Sequence, residues 1–282
     1  MGCGYLGTRL ASYWQRRGET VWASTRSEKR AEEFRRLGLK PIVLDVTSPN
    51  LPSLPDVDTV VFAVGFDRST SQSIHKVYVE GLRNVLQACP ASVKRFIYVS
   101  STGVFGHTQG ECVDENTPCQ PSREGGKACL AAEKLISSWP GIKDKAIILR
   151  LAGIYGPERL PLLKKLQTCQ PLAVAAEGSL NLVHVDDIVR IVDTCAAKIS
   201  PPNLFCVADG NPVQRATFYE CLAELVDCPA PTFSAPEPGS PRAERARGSK
   251  KVRNDRLLSH LNYEFLYPSY REGLKAIVDS TY

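Results

Sequence analysis

The stretch that decides the fold is "GCGYLG", residues 2–7, continued without a break by "TRLASYWQRRG", residues 8–18. Gly2, Gly4 and Gly7 spell G-x-G-x-x-G. In that spacing the first glycine permits a tight turn, the second lets the backbone approach a pyrophosphate, and the third lets a helix pack closely on a strand. Tyr5 and Leu6 fill the space between the second and third glycines and belong to the same turn. The setting strengthens the motif. Leu6, Leu10 and Trp14 fall on one face of a helix that Gly18 closes, and a strand, "TVWAST" (20–25), follows. The start of such a helix offers unpaired amides and the positive end of its dipole to a phosphate.

Outward from this turn, strands alternate with helices. "SEKRAEEFRRLG" (27–38) is a helix that Ser27 can cap, "PIVLD" (41–45) a strand, and "DTVVFAVG" (58–65) a buried strand. "QSIHKVYVEGLRNVLQAC" (72–89) reads as one helix, "KRFIYVSS" (94–101) as a strand, "GKACLAAEKLISSW" (126–139) as a helix, and "KAIILRLAGIYG" (145–156) as a strand. The alternation predicts an α/β protein with a Rossmann-type, doubly wound parallel sheet. Residues 1–156 form the expected dinucleotide-binding core. Residues 157–282, where the rhythm loosens, form a smaller C-terminal α/β substrate lobe with elements returning to the core. The glycine turn should end a buried strand, yet only Met1 precedes it. The expectation is therefore that the first strand is missing and that the natural chain begins upstream, because a central gap would leave two sheet edges unpaired.

Composition narrows the class. Of 282 residues, 43% are hydrophobic and 23% charged, the balance of a globular chain. The apolar runs are too short to cross a bilayer and no signal peptide opens the sequence, so the expected setting is cytoplasmic, without a membrane partner. Ten cysteines occur without a CxxC pair, and four histidines without zinc spacing, so reduced cysteines and no metal are expected. The net charge of +5 owes much to "PRAERARGSKKVR" (241–253), where six basic residues face one glutamate. A solvated loop is the plain reading. Contact of Arg245, Arg247, Lys250 and Lys251 with a substrate phosphate is the other. Nucleic acid is not an expected partner, since no aromatic or groove-reading element accompanies the charge.

The end of the second strand speaks to the dinucleotide. An NAD site usually places an acid there, to bond the ribose 2′-hydroxyl. Here the sequence is "ASTRS" (23–27), with Arg26 among Ser24, Thr25 and Ser27. A guanidinium suits a 2′-phosphate, so NADP is favoured and NAD is the alternative. Asp45, closing "VLD", can accept from the adenine amine or simply close a turn.

Taken in order, "GCGYLG", "LDV", "VDTVVFAVG", "YVSSTGVFG", "GGKACLAAE", "LRLAGIYGP", "VHVDDIV" and "NLFCVADG" resemble the extended short-chain dehydrogenase/reductases, the family of nucleotide-sugar epimerases and dehydratases. The later segments "SKKVRNDRLL" and "YPSYREGL" are similar to its atypical NAD-dependent epimerase/dehydratase members. The resemblance implies a Ser or Thr, a Tyr and a Lys acting together: the phenol moves a proton, the lysine holds the nicotinamide ribose and lowers the phenol's pKa, and the hydroxyl orients the substrate oxygen. It maps the hydroxyl onto Ser101, with Thr102 as substitute, and the lysine onto Lys127. It also implies a homodimer formed through helices near 74–89 and 126–138.

The tyrosine is where this chain departs. Arg123 stands four positions before Lys127, and an arginine does not give up a proton in a protein. It can anchor a carboxylate or phosphate, or face water. Tyr78 occupies a position where the family usually has asparagine. Two expectations follow. One is an NAD(P)-dependent oxidoreductase or epimerase acting on a small, sugar-nucleotide-like or phosphate-bearing substrate, its proton donor moved to Glu124, His107, Tyr78 or Tyr155. The other is a dinucleotide-binding sensor or scaffold without turnover.

Overall fold

The computed structural model describes residues 1–240, 243–244 and 248–281, the last without its side chain. Arg245 and Arg247 of the basic segment lie outside the described residues. The chain forms two compact units: one of Met1–Val104, Glu124–Arg150 and Val189–Phe205, the other of Phe105–Arg123, Leu151–Ile188 and Cys206–Tyr282.

In the first unit, helix α1 spans Tyr5–Arg16 and buries Leu6, Leu10 and Ala11. Strand β1 (Trp22–Thr25) leads to helix α2 (Glu28–Arg36), whose amide at Arg30 donates to the Ser27 hydroxyl, as the capping pattern predicts. Strand β2 (Lys40–Val43) pairs in parallel with β1, Trp22 opposite Lys40. Strand β3 (Thr59–Phe62) pairs in parallel with β4 (Arg95–Ser101). Those two belong to a four-stranded sheet ordered 203–207, 146–151, β4, β3. The sheet is covered by helices α3 (Gly81–Ala88) and α4 (Glu124–Ser138), and Phe62, Phe96, Leu82, Val85, Ile136 and Ile148 form its core.

The β1–β2 pair and the four-stranded sheet are separate. Met1 reaches β3 through two backbone hydrogen bonds, its nitrogen donating to Val61 O (2.7 Å) and its carbonyl accepting from Ala63 N (2.9 Å). Beside it lies a cavity of about 570 Å³, lined among others by Leu10, Trp14, Trp22, Ile42 and Val60.

The segment 72–89 is not one α-helix. After an α-helical start at 74–75 it widens into a π-helical turn, Lys76–Glu80, and then continues as α3. A Cβ built on Gly81 would stand 2.8 Å from Val46 Cγ2, so the helix is held close to the loop after β2. Asn84 secures it there, its amide donating to Val46 O (2.8 Å) and Ser48 O (2.9 Å). A widened turn is how a helix takes up such an offset without losing its ladder.

The second unit is assembled from short pairs: 153–155 with 182–184 in parallel, 179–180 with 213–214 antiparallel, 172–173 with 233–234 in parallel, and 111–113 with 250–252 in parallel. Tyr155, Phe218, Leu222, Leu274 and Ile277 centre its core. Part of the basic segment thus differs from a solvated loop. Lys250–Val252 is a strand, and Asn181 clamps it by donating to Lys250 O (2.9 Å) and accepting from Val252 N (2.7 Å). No helix among the described residues is long and apolar enough to cross a membrane. No group of His, Cys, Asp and Glu among them is placed to hold a metal ion.

Candidate active site

The glycine turn is as tight as its spacing demands. Gly2 has φ of +80°, a conformation that side chains disfavour, and a Cβ there would lie 2.6 Å from the backbone of Ala63 and Val64. A Cβ on Gly7 would strike the Gly2 carbonyl, whereas Gly4 has open space where its side chain would be. Gly2 N donates to Ser24 Oγ (3.0 Å), tying the turn to β1. Gly4 caps α1 without any side-chain bond. A close-packed first and third glycine, an exposed second, and an uncapped helix start fit a dinucleotide's pyrophosphate. Leu6 is buried in the core, so it contributes backbone to the turn, while the Tyr5 ring lies under the Arg9 guanidinium, 3.9 Å from ring centre.

Arg30 was not singled out by the sequence. Its guanidinium donates to Cys3 O and to Thr8 Oγ1, both at 3.2 Å, and so lies across the outside of the turn. The available signal is position: one helical turn beyond the Ser27 cap, a side chain points back toward the preceding loop. Arg26 pairs instead with Asp67, Nη2 to Oδ2 at 3.1 Å, with both side chains substantially exposed. That contact, together with two bonds from Ser69, holds the Asp67 carboxyl below the usual range, Ser69 being the larger influence. Asp45 Oδ1 accepts from Thr47 N (2.9 Å) and Thr47 Oγ1 (2.8 Å), closing a turn after β2.

Helix α4 packs against both β4 and the single 3₁₀ turn that follows it, Thr102–Val104, so Lys127 and Ser101 ride on adjoining elements. Ser101 Oγ accepts from Gly103 N (3.0 Å), which leaves its own proton to donate. Thr102 is buried beside it, at 8% exposure. Lys127 Nζ donates to Glu124 Oε1 at 2.8 Å on the exposed side of the helix. Beneath, α4 is fixed to the sheet by a buried ion pair that sequence gave no sign of. Arg150 donates through Nε (3.1 Å) and Nη2 (2.7 Å) to Glu133, and Ser100 Oγ donates to the same carboxylate at 2.6 Å. Glu133 and Arg150 are 4% and 5% exposed. The residue just before Ser101 is therefore bonded to the helix that carries Lys127.

The alternative proton donors fare differently. Tyr78 accepts through its hydroxyl from Phe66 N (3.2 Å), and burial, then Cys129, push its phenol above the ordinary range. In the second unit, Tyr155 is 1% exposed and donates to Ser269 O (3.4 Å), with burial raising its pKa far further. His107 has its Nδ1 enclosed without a hydrogen-bond partner. Within the "VHVDDIV" segment, Asp187 serves the fold. It accepts from Tyr263 Oη (2.8 Å), Leu266 N (2.7 Å) and Tyr267 N (3.2 Å), anchoring the approach to the last helix.

The model of the NAD dependent epimerase/dehydratase family matches residues 2–208. Protein YeeZ of Escherichia coli strain K12 is 26% identical over 275 residues, covering 95% of each chain. Among solved structures, a functionally unknown conserved protein from Silicibacter pomeroyi superposes with TM-score 0.84 at 27% identity, over 99% of this chain and 96% of its own. MoeE5, in complex with UDP-glucuronic acid and NAD, superposes with TM-score 0.80 at 21% identity, over 99% of this chain and 96% of its own, a likeness of fold.

Proposed function

Because this chain belongs to the NAD-dependent epimerase/dehydratase family, we propose that it is an NAD(P)-dependent oxidoreductase acting at a hydroxyl or carbonyl carbon of a small, sugar-nucleotide-like metabolite. The observation that carries the reading is the glycine turn, with Gly2 and Gly7 packed beyond the room for any side chain and Gly4 left open at the start of α1. A bound nicotinamide dinucleotide supplies the hydride donor or acceptor. Gly2, Gly4, Tyr5, Leu6 and Gly7 hold its pyrophosphate through backbone, and Asp45 meets the adenosine end. Arg26 and Arg30 favour NADP over NAD, because Arg26 can exchange a solvent-exposed carboxylate for a 2′-phosphate.

At the reacting carbon, Ser101 donates its free proton to the substrate oxygen, with Thr102 shaping the turn behind it. Lys127 binds the nicotinamide ribose. The proton that a phenol would move is assigned to the Glu124–Lys127 pair, since burial raises the pKa of Tyr78 and Tyr155 and the Tyr155 hydroxyl already donates to Ser269 O. Arg123 takes no part in proton transfer. The same arginine favours the second reading, dinucleotide binding without turnover, in which Ser101 and Lys127 serve cofactor geometry alone.

Fluorescence titration of the purified chain with NADPH and NADH tests the cofactor, followed by a hydride-transfer screen over nucleotide sugars, aldehydes and ketones. Saturable binding with turnover that Glu124→Gln and Lys127→Ala abolish is the expected result. Binding without turnover, unchanged by Arg123→Tyr, selects the second reading. Failure to bind either nucleotide overturns both.

A further inference from the structure

The second unit holds a pair of cations with no use in the chemistry above. Lys250 begins the strand 250–252, opposite Glu111 in register, and its Nζ donates to Phe105 O at 3.5 Å. Asn181 grips the strand at Lys250 O and Val252 N, so the backbone that carries this ammonium is fixed. Arg123 comes near from a different segment. The backbones of 105–107 and 120–121 touch so closely that a Cβ on Gly106 would strike the Gln120 carbonyl. This brings the residues just before α4 alongside Phe105.

Neither cation is ion-paired with a carboxylate or, in the case of Arg123, hydrogen-bonded to anything among the described residues. Lys250 keeps two of its three N–H donors beyond the bond to Phe105. Burial, and then the positive charge of Arg123, push its ammonium down to about 8. Two residues along from Phe105, the His107 Nδ1 is enclosed without a partner. Like charges brought together in a half-buried place, with several donors unspent, are costly unless something negative completes them.

We infer that Arg123 and Lys250 together seat an oxyanion, phosphate or carboxylate, of a small-molecule ligand. A planar guanidinium gives two parallel donors to such a group, and the ammonium gives a point charge beside it. As the anchor of a substrate, the seat rests on the oxidoreductase reading and narrows the substrate to anionic metabolites. As an anion site it stands by itself.

The test is calorimetric titration of the full chain with inorganic phosphate and, separately, with malonate. Saturation by at least one of them is expected, with affinity falling about tenfold or more in Arg123→Gln and in Lys250→Gln, while Lys251→Gln keeps the wild-type value. Phosphate alone binding identifies a phosphoryl ligand, and malonate alone a carboxylate. Thermal midpoints of the variants show whether each has folded, and either variant suffices. Equal affinity in all four proteins, or no saturation by either anion up to about 50 mM, overturns the inference. A chain that binds phosphate through these two residues but binds neither NADPH nor NADH would refute the dinucleotide reading and leave the seat standing.

Discussion

Replacing Glu133 by glutamine tests how α4 is held to the sheet beneath Ser101. The substitution keeps the shape and one acceptor for Ser100, but replaces the carboxylate that receives two N–H bonds from Arg150, itself at 5% exposure, with a neutral amide. Neutralising one partner of a buried, bidentate pair costs about 3–5 kcal/mol, because the other charge loses its strongest bonds in a poor solvent. That corresponds to a fall of roughly a hundredfold to several thousandfold in the folded-to-unfolded ratio. Trp14, Trp22 and Trp139 all belong to the first unit, so tryptophan fluorescence during urea unfolding reports on that unit alone. At a slope near 3 kcal/mol per molar, the midpoint drops by about 1–1.7 M. The double variant Glu133→Leu with Arg150→Met removes both charges and should return to within about 1 kcal/mol of wild type, or exceed it. A Glu133→Gln midpoint unchanged from wild type, or a double variant as unstable as the single, would refute the reasoning.

Other expectations are as direct. Gly7→Ala places a methyl against the Gly2 carbonyl, so nucleotide affinity should fall more than tenfold by fluorescence titration while the circular dichroism of the helices persists. Arg26→Gln should weaken NADPH about tenfold and leave NADH within about twofold, and equal effects on both would remove the 2′-phosphate role. Asp209 is 6% exposed, and burial first, with Asp187 and Glu272 adding, raises its carboxyl to about 7. A raised acid favours the folded state fully below its unfolded value near 4 and progressively less as pH climbs to about 7, a loss of up to about 4 kcal/mol. Asp209→Asn should therefore stabilise the chain at pH 8 relative to wild type and gain little at pH 4. Melting curves that keep the same difference at both pH values would contradict it.

The elements legible in the sequence were those written in neighbouring residues. Gly2, Gly4 and Gly7 announce the turn by their spacing, Gly2 and Gly7 because only glycine fits the contacts made there, and the face of Leu6 and Leu10 announces the helix that follows. Ser27 announces a cap, since the amide it bonds lies three residues away. The widened turn at Lys76–Glu80 escaped notice because its cause, the approach of Gly81 to Val46, lies across the fold. The basic segment looked like a loop because two short strands, 111–113 and 250–252, stabilise each other and neither is long enough to declare itself.

What the sequence determined by itself was the order of strands and helices, the glycine turn, and the absence of a proton-donating group at Arg123. Those properties depend on spacing along the chain and on the chemistry of single side chains. The tertiary structure alone decided which charges meet: Arg150 with Glu133, and Arg26 with Asp67. Charged groups attract or repel through space, with a strength set by distance and burial, and packing fixes both only after segments far apart in sequence have been brought together.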